Sequence, residues 1–228
     1  MDIFLQQLIN GLVLGSVYAL VALGYTMVYG ILELINFAHG EITMMGAMVA
    51  LAVIGALALA APGLPGVLVL GAGLVVAIPV CMALGLLIER VAYRPLRHAP
   101  RLAPLITAIG VSIILQNIAM LIWGKQYIPF PAILPQGRHE VLGATISDTQ
   151  IAILVLAVLI MLALILVVQK TRLGRAMRAT AQSRQVASLM GVDVNRVIAS
   201  TFVIGSALAA VAGVMVSAYY GLAHYYMG

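Results

Sequence analysis

A chain of 228 residues that is 64% hydrophobic and only 8% charged is not composed like a soluble domain, in which about a quarter of the residues carry charge. Its mean hydropathy of +1.14 indicates a chain built largely for lipid. The net charge of +5 does not indicate a nucleic-acid partner, because the basic residues flank apolar stretches, where they set topology and attract anionic membrane lipid.

Six apolar stretches follow one another along the chain, each long enough to cross a bilayer as a helix. They cover residues 8–29, 42–60, 67–88, 103–123, 150–168 and 197–220. All seven acidic and all twelve basic residues fall outside these stretches, as expected because a charge at mid-bilayer is costly. The predicted fold class is therefore all-α: a polytopic helical membrane protein of about six transmembrane helices, forming one transmembrane domain over residues 1–228.

Three tyrosines of the first stretch share one side of the predicted helix. Tyr18, Tyr25 and Tyr29 lie at i, i+7 and i+11. Their hydroxyl groups would be poorly satisfied in lipid, so the stripe should face protein or water. Tertiary packing and a solute pathway are equally compatible with this pattern. Tyr18 and Tyr25 are therefore candidate residues of a substrate pathway.

The most unusual polar cluster joins the first two stretches and contains no basic residue. It comprises Glu33, Asn36, His39, Glu41 and Thr43. Polar groups at membrane depth usually line a cavity or pathway, whereas the same residues at the surface would form an ordinary loop with a helix cap. The sequence favours neither reading. Asn36, His39, Glu41 and Thr43 join the candidate pathway residues.

Ten of the twelve basic residues lie in two short stretches, 89–101 and 170–196. Because short cytoplasmic loops are enriched in Lys and Arg, both stretches should face the cytoplasm. The intervening residues 124–149 should then face outward. Counting back three spans also places the N-terminus outside, unless a re-entrant segment near residues 30–41 reverses it.

The sixth stretch carries signals for both its start and its packing. Asp193 can cap the first turn of its helix. A small residue then recurs at every fourth position: Thr201, Gly205, Ala209, Gly213, Ser217 and Gly221. Such a face lets helices approach closely in lipid. Packing within the chain is favoured over contact with another subunit, and Gly11, Gly15 and Ala19 repeat the pattern in the first stretch.

No constellation of catalytic or metal-binding residues is visible, and we expect no catalytic residue, metal or cofactor. The histidines are scattered without the His-Glu-x-x-His spacing of zinc sites. Gly124 and Lys125 lack the preceding phosphate-binding glycine pattern, and Gln126 replaces the required Ser or Thr. Uphill transport would therefore need an ion gradient or another polypeptide. The apparent lack of charged residues within the spans favours the second source.

The stretch 170–196 is the longest polar segment and contains a short apolar face. Val186, Leu189 and Met190 lie at i, i+3 and i+4 of a predicted helix, which Gly191 can end in a left-handed conformation. Such a helix could lie on lipid or dock into a groove of a soluble partner. The residues themselves leave both possibilities open.

Several segments resemble one family of transporter subunits. They are Asn10-Gly11-Leu12 with Gly15-Ser16-x-Tyr18-Ala19-Leu20, Asn36-Phe37-Ala38-His39-Gly40, Gly174-Arg175-Ala176-x-Arg178-Ala179, Ala187-Ser188-Leu189-Met190-Gly191 and Thr201-Phe202-Val203-Ile204-Gly205. Together they are similar to the permease subunits of ATP-driven importers for branched-chain amino acids. The resemblance runs along essentially the whole chain, and its specificity comes from the combination of segments.

The resemblance implies a multi-pass protein of the bacterial inner membrane. Its assembly would contain a second, homologous permease subunit, two cytoplasmic ATP-binding subunits and a periplasmic solute-binding protein. In such importers a helix ending in glycine docks on the ATPase, and residues 180–191 match that position. The coupling residues implied are Arg184, Val186, Ala187, Leu189, Met190 and Gly191. The generic pattern has an acidic residue near the start of this helix, where the chain has Gln182, Ser183 and Arg184.

Family members continue with further spans beyond residues 225–228, so the chain is expected to be C-terminally incomplete relative to the family. The leading hypothesis is a permease subunit that is not itself an enzyme. A permease for amides or urea is the nearest alternative, since such permeases look similar. A passive channel or carrier that works without an ATPase is a second alternative, and a membrane enzyme is the least favoured.

Overall fold

The computed structural model describes residues 2–33, 35–97, 99–100, 102–131, 137–141 and 143–228. Arg101, which ends the first predicted basic loop, lies outside the described residues. The helices are α1 (Asp2–Leu32), α2 (Ala38–Ala60), α3 (Gly66–Ile88), α4 (Leu102–Trp123), α5 (Asp148–Lys170), α6 (Arg172–Gln182), α7 (Arg184–Leu189) and α8 (Val194–Tyr220). A π-helical turn, Glu89–Tyr93, continues α3.

Six helices within the described part of the chain are long and apolar enough to cross a membrane: α1 to α5 and α8. This confirms the predicted fold class and the number of spans. The helices extend beyond several of the predicted stretches. The second span begins at Ala38, not at residue 42, so Glu41 lies in the first turn of α2 and inside a helix that could span a membrane. The expectation that every charged residue falls outside the spans is therefore wrong for Glu41, and also for residues near the span ends: Glu89, Arg90, Asp148, Lys170 and Arg196.

The central helix is α8, which packs against α1, α2 and α3. Its small residues permit close approach of backbones: Gly205 lies against the carbonyl group of Gly24 on α1, and Gly213 lies against that of Thr43 on α2. The same structure therefore confirms that this face packs within the chain. By contrast, a Cβ atom added at Gly11 or Gly15 of α1 would meet no atom of the described residues within 4 Å.

Two small antiparallel strand pairs lie at the end of the helix bundle opposite the basic stretches. Strand β1 (Ile128–Pro129) pairs with β4 (Leu222–Ala223), and β2 (Arg138–Val141) pairs with β3 (Ala144–Ser147). The side chain of Gln6 near the start of α1 donates a hydrogen bond to the carbonyl oxygen of Thr145 (2.9 Å). The first turn of α1 and the 124–149 segment therefore lie on one side, in agreement with the predicted orientation.

The basic stretch 170–196 folds as two short helices with a break between them, so the expectation of one helix over 180–191 was wrong. Ser183 is extended, and its hydroxyl oxygen accepts a hydrogen bond from the backbone N–H of Val186 (3.3 Å), which starts α7. Gly191 ends the segment at φ = +80°, as predicted. Asp193 caps α8 by accepting a hydrogen bond from the backbone N–H of Arg196 (3.1 Å), also as predicted.

Candidate functional site

Asn36 lies two residues before the first residue of α2 and stabilises the start of this helix. Its side-chain oxygen accepts hydrogen bonds from the backbone N–H of Ala38 (3.1 Å) and from the hydroxyl group of Tyr93 (2.8 Å). The first bond satisfies a donor that the helix itself leaves unpaired. The second links the start of α2 to the π-helical turn after α3. Asn36 is buried, and its oxygen is fully engaged in holding these two elements together.

His39 is buried between α2 and α1. An added side-chain carbon at Gly24 would lie 2.8 Å from Cε1 of His39, so the glycine makes room for the ring. The ring of Tyr25 stands edge-on to the His39 ring, with centroids 6.1 Å apart. Nε2 of His39 is buried and has no hydrogen-bond partner among the described residues. The hydroxyl group of Thr43 donates to the carbonyl oxygen of His39 (3.3 Å).

Glu41 is a buried carboxylate, 3% exposed, that faces α4. Its Oε1 accepts hydrogen bonds from the hydroxyl group of Ser112 (3.0 Å) and the side-chain amide of Gln116 (2.6 Å). Its Oε2 is buried without a partner in the described part of the chain. Ser112 and Gln116 lie near the middle of α4, so Glu41 is level with the middle of a helix long and apolar enough to span a membrane. Polar groups within such spans are costly and usually functional.

Sequence reasoning missed Ser112 and Gln116. The signal was present, since the two residues are four apart in an otherwise apolar span and so share one helix face. Only the packing of α2 against α4 shows that this face meets a carboxylate.

The predicted tyrosine stripe is divided by the fold. Tyr25 is half-buried and lies beside His39, whereas Tyr18 is 56% exposed on the outer face of α1. Tyr29 is likewise exposed. The structure therefore brings Tyr25 to the polar segment 36–43, whereas Tyr18 lies apart from that segment, beside Tyr220 at the end of α8. Whether these residues line a solute pathway stays a prediction.

The predicted coupling residues separate into an outward and an inward group. Leu189, Met190 and Val186 are exposed by 82, 80 and 58%, whereas Ala187 is buried. The exposed residues form one apolar face of α7, on the side of the membrane that carries the basic stretches. Gly191, just beyond this face, is exposed as well.

Arg184, expected among the coupling contacts, points inward. Its Nε donates a hydrogen bond to the carbonyl oxygen of Ile31 near the end of α1 (2.9 Å). Close by, Arg97 forms an ion pair with the buried Glu89 and donates to the side-chain oxygen of Asn195. Burial lowers the pKa of Arg97, attraction to Glu89 opposes that change, and the positive charge of Arg184 adds to the lowering.

Residues 7–228 match the family described as the permease component of the branched-chain amino acid transport system. The chain belongs to this family. It is 48% identical to the high-affinity branched-chain amino acid transport system permease protein LivH of Escherichia coli K12, with 99% of this chain and 74% of the relative covered. It is 49% identical to BraD of Pseudomonas aeruginosa, with coverage of 96% and 72%.

The chain thus spans about three quarters of the length of these relatives. No solved structure matches it. Permease relatives together with six apolar helices establish a multi-pass protein of the inner membrane, and the resemblance drawn from the sequence motifs is confirmed. That the side carrying the two basic stretches faces the cytoplasm stays a prediction from their Lys and Arg content.

Proposed function

We propose that this chain is the permease subunit of an ATP-driven importer for branched-chain amino acids. In this role it performs no chemistry of its own, and a separate ATPase supplies the energy. Family membership and the names of the relatives support the substrate class. The observation that carries the coupling mechanism is the exposed apolar face of α7.

This face is unusual for a segment outside the membrane. Leu189 and Met190 are each at least 80% exposed, and Val186 adjoins them. Burying such side chains contributes roughly 25 cal/mol per Å² of apolar surface, so an exposed cluster is a natural contact for a partner. The buried Ala187 and the capped start at Ser183 hold the short helix in place. A groove on a cytoplasmic ATPase fits this arrangement.

The solute pathway is proposed to follow the outer face of α1, between this chain and a second permease subunit. Tyr18 and Tyr29 project from that face, and the neighbouring Gly11 and Gly15 leave it open to close approach. The buried segment 36–43 would support the pathway from behind. In that segment Asn36 and Thr43 fix the backbone, while His39 and Glu41 hold unpartnered polar atoms at membrane depth.

The complete importer is proposed to contain this permease, a homologous partner permease, two ATP-binding subunits and a periplasmic solute-binding protein. The two ATP-binding subunits would occupy the cytoplasmic side, where α7 projects. The binding protein would meet the opposite side, where the strand pairs and the start of α1 lie.

Substitution of Leu189 by Asp tests the docking. We expect Leu189→Asp to abolish co-purification of the ATPase while membrane insertion is retained, because a carboxylate would be buried unpaired in the contact. Ser188→Asp is the matched control, since Ser188 is also exposed but lies on the other side of α7. Undiminished co-purification with Leu189→Asp would contradict the proposal.

Uptake by the reconstituted complex tests the substrate. Labelled leucine should accumulate in vesicles only when ATP and both ATP-binding subunits are present. Uptake of labelled urea in its place would favour the amide or urea alternative. Leucine uptake that persists without any ATPase would instead indicate a passive channel or carrier.

A further inference from the structure

Helix α7 is attached to the rest of the molecule by few polar contacts. Its side-chain and backbone hydrogen bonds fall within residues 183–192, with one exception. The exception is the bond from Nε of Arg184 to the carbonyl oxygen of Ile31, which joins residues 153 positions apart. In the described part of the chain this is the one hydrogen bond between α7 and a membrane-spanning helix.

The acceptor is a carbonyl group at the C-terminus of α1. The last four carbonyl groups of a helix have no partner within it, and they carry the negative end of the helix dipole. Helix α1 stops abruptly here, because Glu33 adopts a left-handed conformation at φ = +53° and its backbone N–H bonds back to Tyr29 (2.7 Å). The Arg184 guanidinium supplies both a donor and a positive charge to this end.

The neighbouring charges leave Arg184 free for this role. Glu89 is the buried carboxylate of the cytoplasmic cluster, and it is already paired with Arg97. Arg97 also bonds to Asn195 in the first turn of α8. The Glu89 pair thus ties the end of α3 to the start of α8, while Arg184 ties α7 to α1.

Helix α1 leads from this contact to the polar segment. Gly24, which makes room for the His39 ring, lies seven residues before Ile31, about 10 Å along the helix axis. A rigid helix that shifts at Ile31 must also shift at Gly24, against His39 and against the small-residue face of α8. A continuous series of packed contacts therefore runs from the Arg184–Ile31 hydrogen bond, along α1, to His39.

We propose that Arg184 is a positioning residue that transmits the motion of α7 to α1, and through α1 to the buried segment around His39. The residue acts from inside the protein, beneath the docking face, and does not contact the ATPase. The inference rests on the proposed function, since it assumes that α7 is the element on which the ATPase acts.

The experiment uses the full reconstituted importer and three variants: Arg184→Ala, Arg184→Lys and the matched control Arg175→Ala. Arg175 is exposed on α6, and its removal deletes the same charge from the same cytoplasmic loop. Measurements are ATPase co-purification, leucine-stimulated ATP hydrolysis and leucine taken up per ATP hydrolysed. Arg184→Lys keeps a positive donor and serves as the conservative rescue.

We expect Arg184→Ala to retain the ATPase and to hydrolyse ATP, but to lower uptake per ATP about ten-fold, within the usual range of coupling between sites. Arg184→Lys should recover most of the loss, and Arg175→Ala should behave as wild type. A purely structural role would instead lower the amount of folded complex and leave uptake per ATP unchanged.

Equal uptake per ATP in the Arg184→Ala and Arg175→Ala variants would overturn the inference. The inference would also be overturned if Arg184→Ala lost ATPase co-purification to the extent expected of Leu189→Asp. That result would indicate that Arg184 contacts the ATPase directly. Failure of the proposed function is distinguishable, because the wild-type complex itself would then bind no ATPase or import no leucine.

Discussion

The close contact between α2 and α8 predicts that one added methyl group will lower the free energy of unfolding. Gly46 on α2 faces the backbone of α8, and a Cβ atom built at Gly46 would lie 2.5 Å from the Cα atom of Ala210. Ordinary van der Waals contact begins at 3.4 Å, so the two helices would have to separate by roughly 0.9 Å. Gly55 lies on the same helix, and no atom in the described part of the chain is within 4 Å of a Cβ atom built there.

The two substitutions Gly46→Ala and Gly55→Ala therefore form a matched pair. Each gains the same intrinsic helix propensity, about 1 kcal/mol in soluble helices, which cancels in the comparison. The difference that remains is the cost of overpacking, typically about 1–3 kcal/mol. We expect the upper end of that range at Gly46, because the atom it meets belongs to the backbone and cannot rotate away.

The assay uses the single cysteine of the chain as its reporter. Cys81 is fully buried, so a thiol-reactive fluorogenic dye labels the protein only as it unfolds in detergent. A difference of about 3 kcal/mol corresponds to roughly 6–12 °C in the midpoint for a chain of this size. A Gly46→Ala midpoint equal to or above that of Gly55→Ala would refute the close-packing argument.

Substitutions at three further positions can be measured with the same dye assay. Tyr93→Phe removes the hydroxyl donor to Asn36 and should lower the free energy of unfolding by about 1 kcal/mol. An unchanged unfolding midpoint would contradict this hydrogen bond. Glu41→Leu leaves two part-buried donors of α4 unpaired and should lower the free energy of unfolding by about 1 kcal/mol more than Glu41→Gln, which keeps an acceptor. Asp193→Ala should cost about 1 kcal/mol through loss of the α8 cap, whereas Asp193→Asn should be nearly neutral.

The candidate site could be predicted only in part, and Glu41 shows why. Its neighbours in sequence, Asn36 and His39, marked the segment as unusual, but sequence could not give the depth of the segment. Depth follows from the helices that pack beside it, and the partners of Glu41 come from α4, 71 and 75 positions away. Arg184 is a similar case, since the family resemblance placed it among the ATPase contacts and its partner is Ile31.

What the sequence by itself determined was the arrangement relative to the membrane. Apolar length fixes where helices can cross, clustered Lys and Arg fix which ends face the cytoplasm, and local groups such as Asp193 and Gly191 end or begin helices through bonds to their own neighbours. These effects are local or depend on composition, so they can be read along the chain.

Tertiary structure alone decided how the helices meet. It placed α8 at the centre, brought Glu41 to the middle of α4, and turned Arg184 inward while leaving Leu189 exposed. In lipid an apolar face gains little by burial against another apolar face, so helix pairing depends on close fit between small residues and on a few polar bonds. These close contacts join residues that are far apart in the chain, so they cannot be predicted from the hydropathy of the sequence.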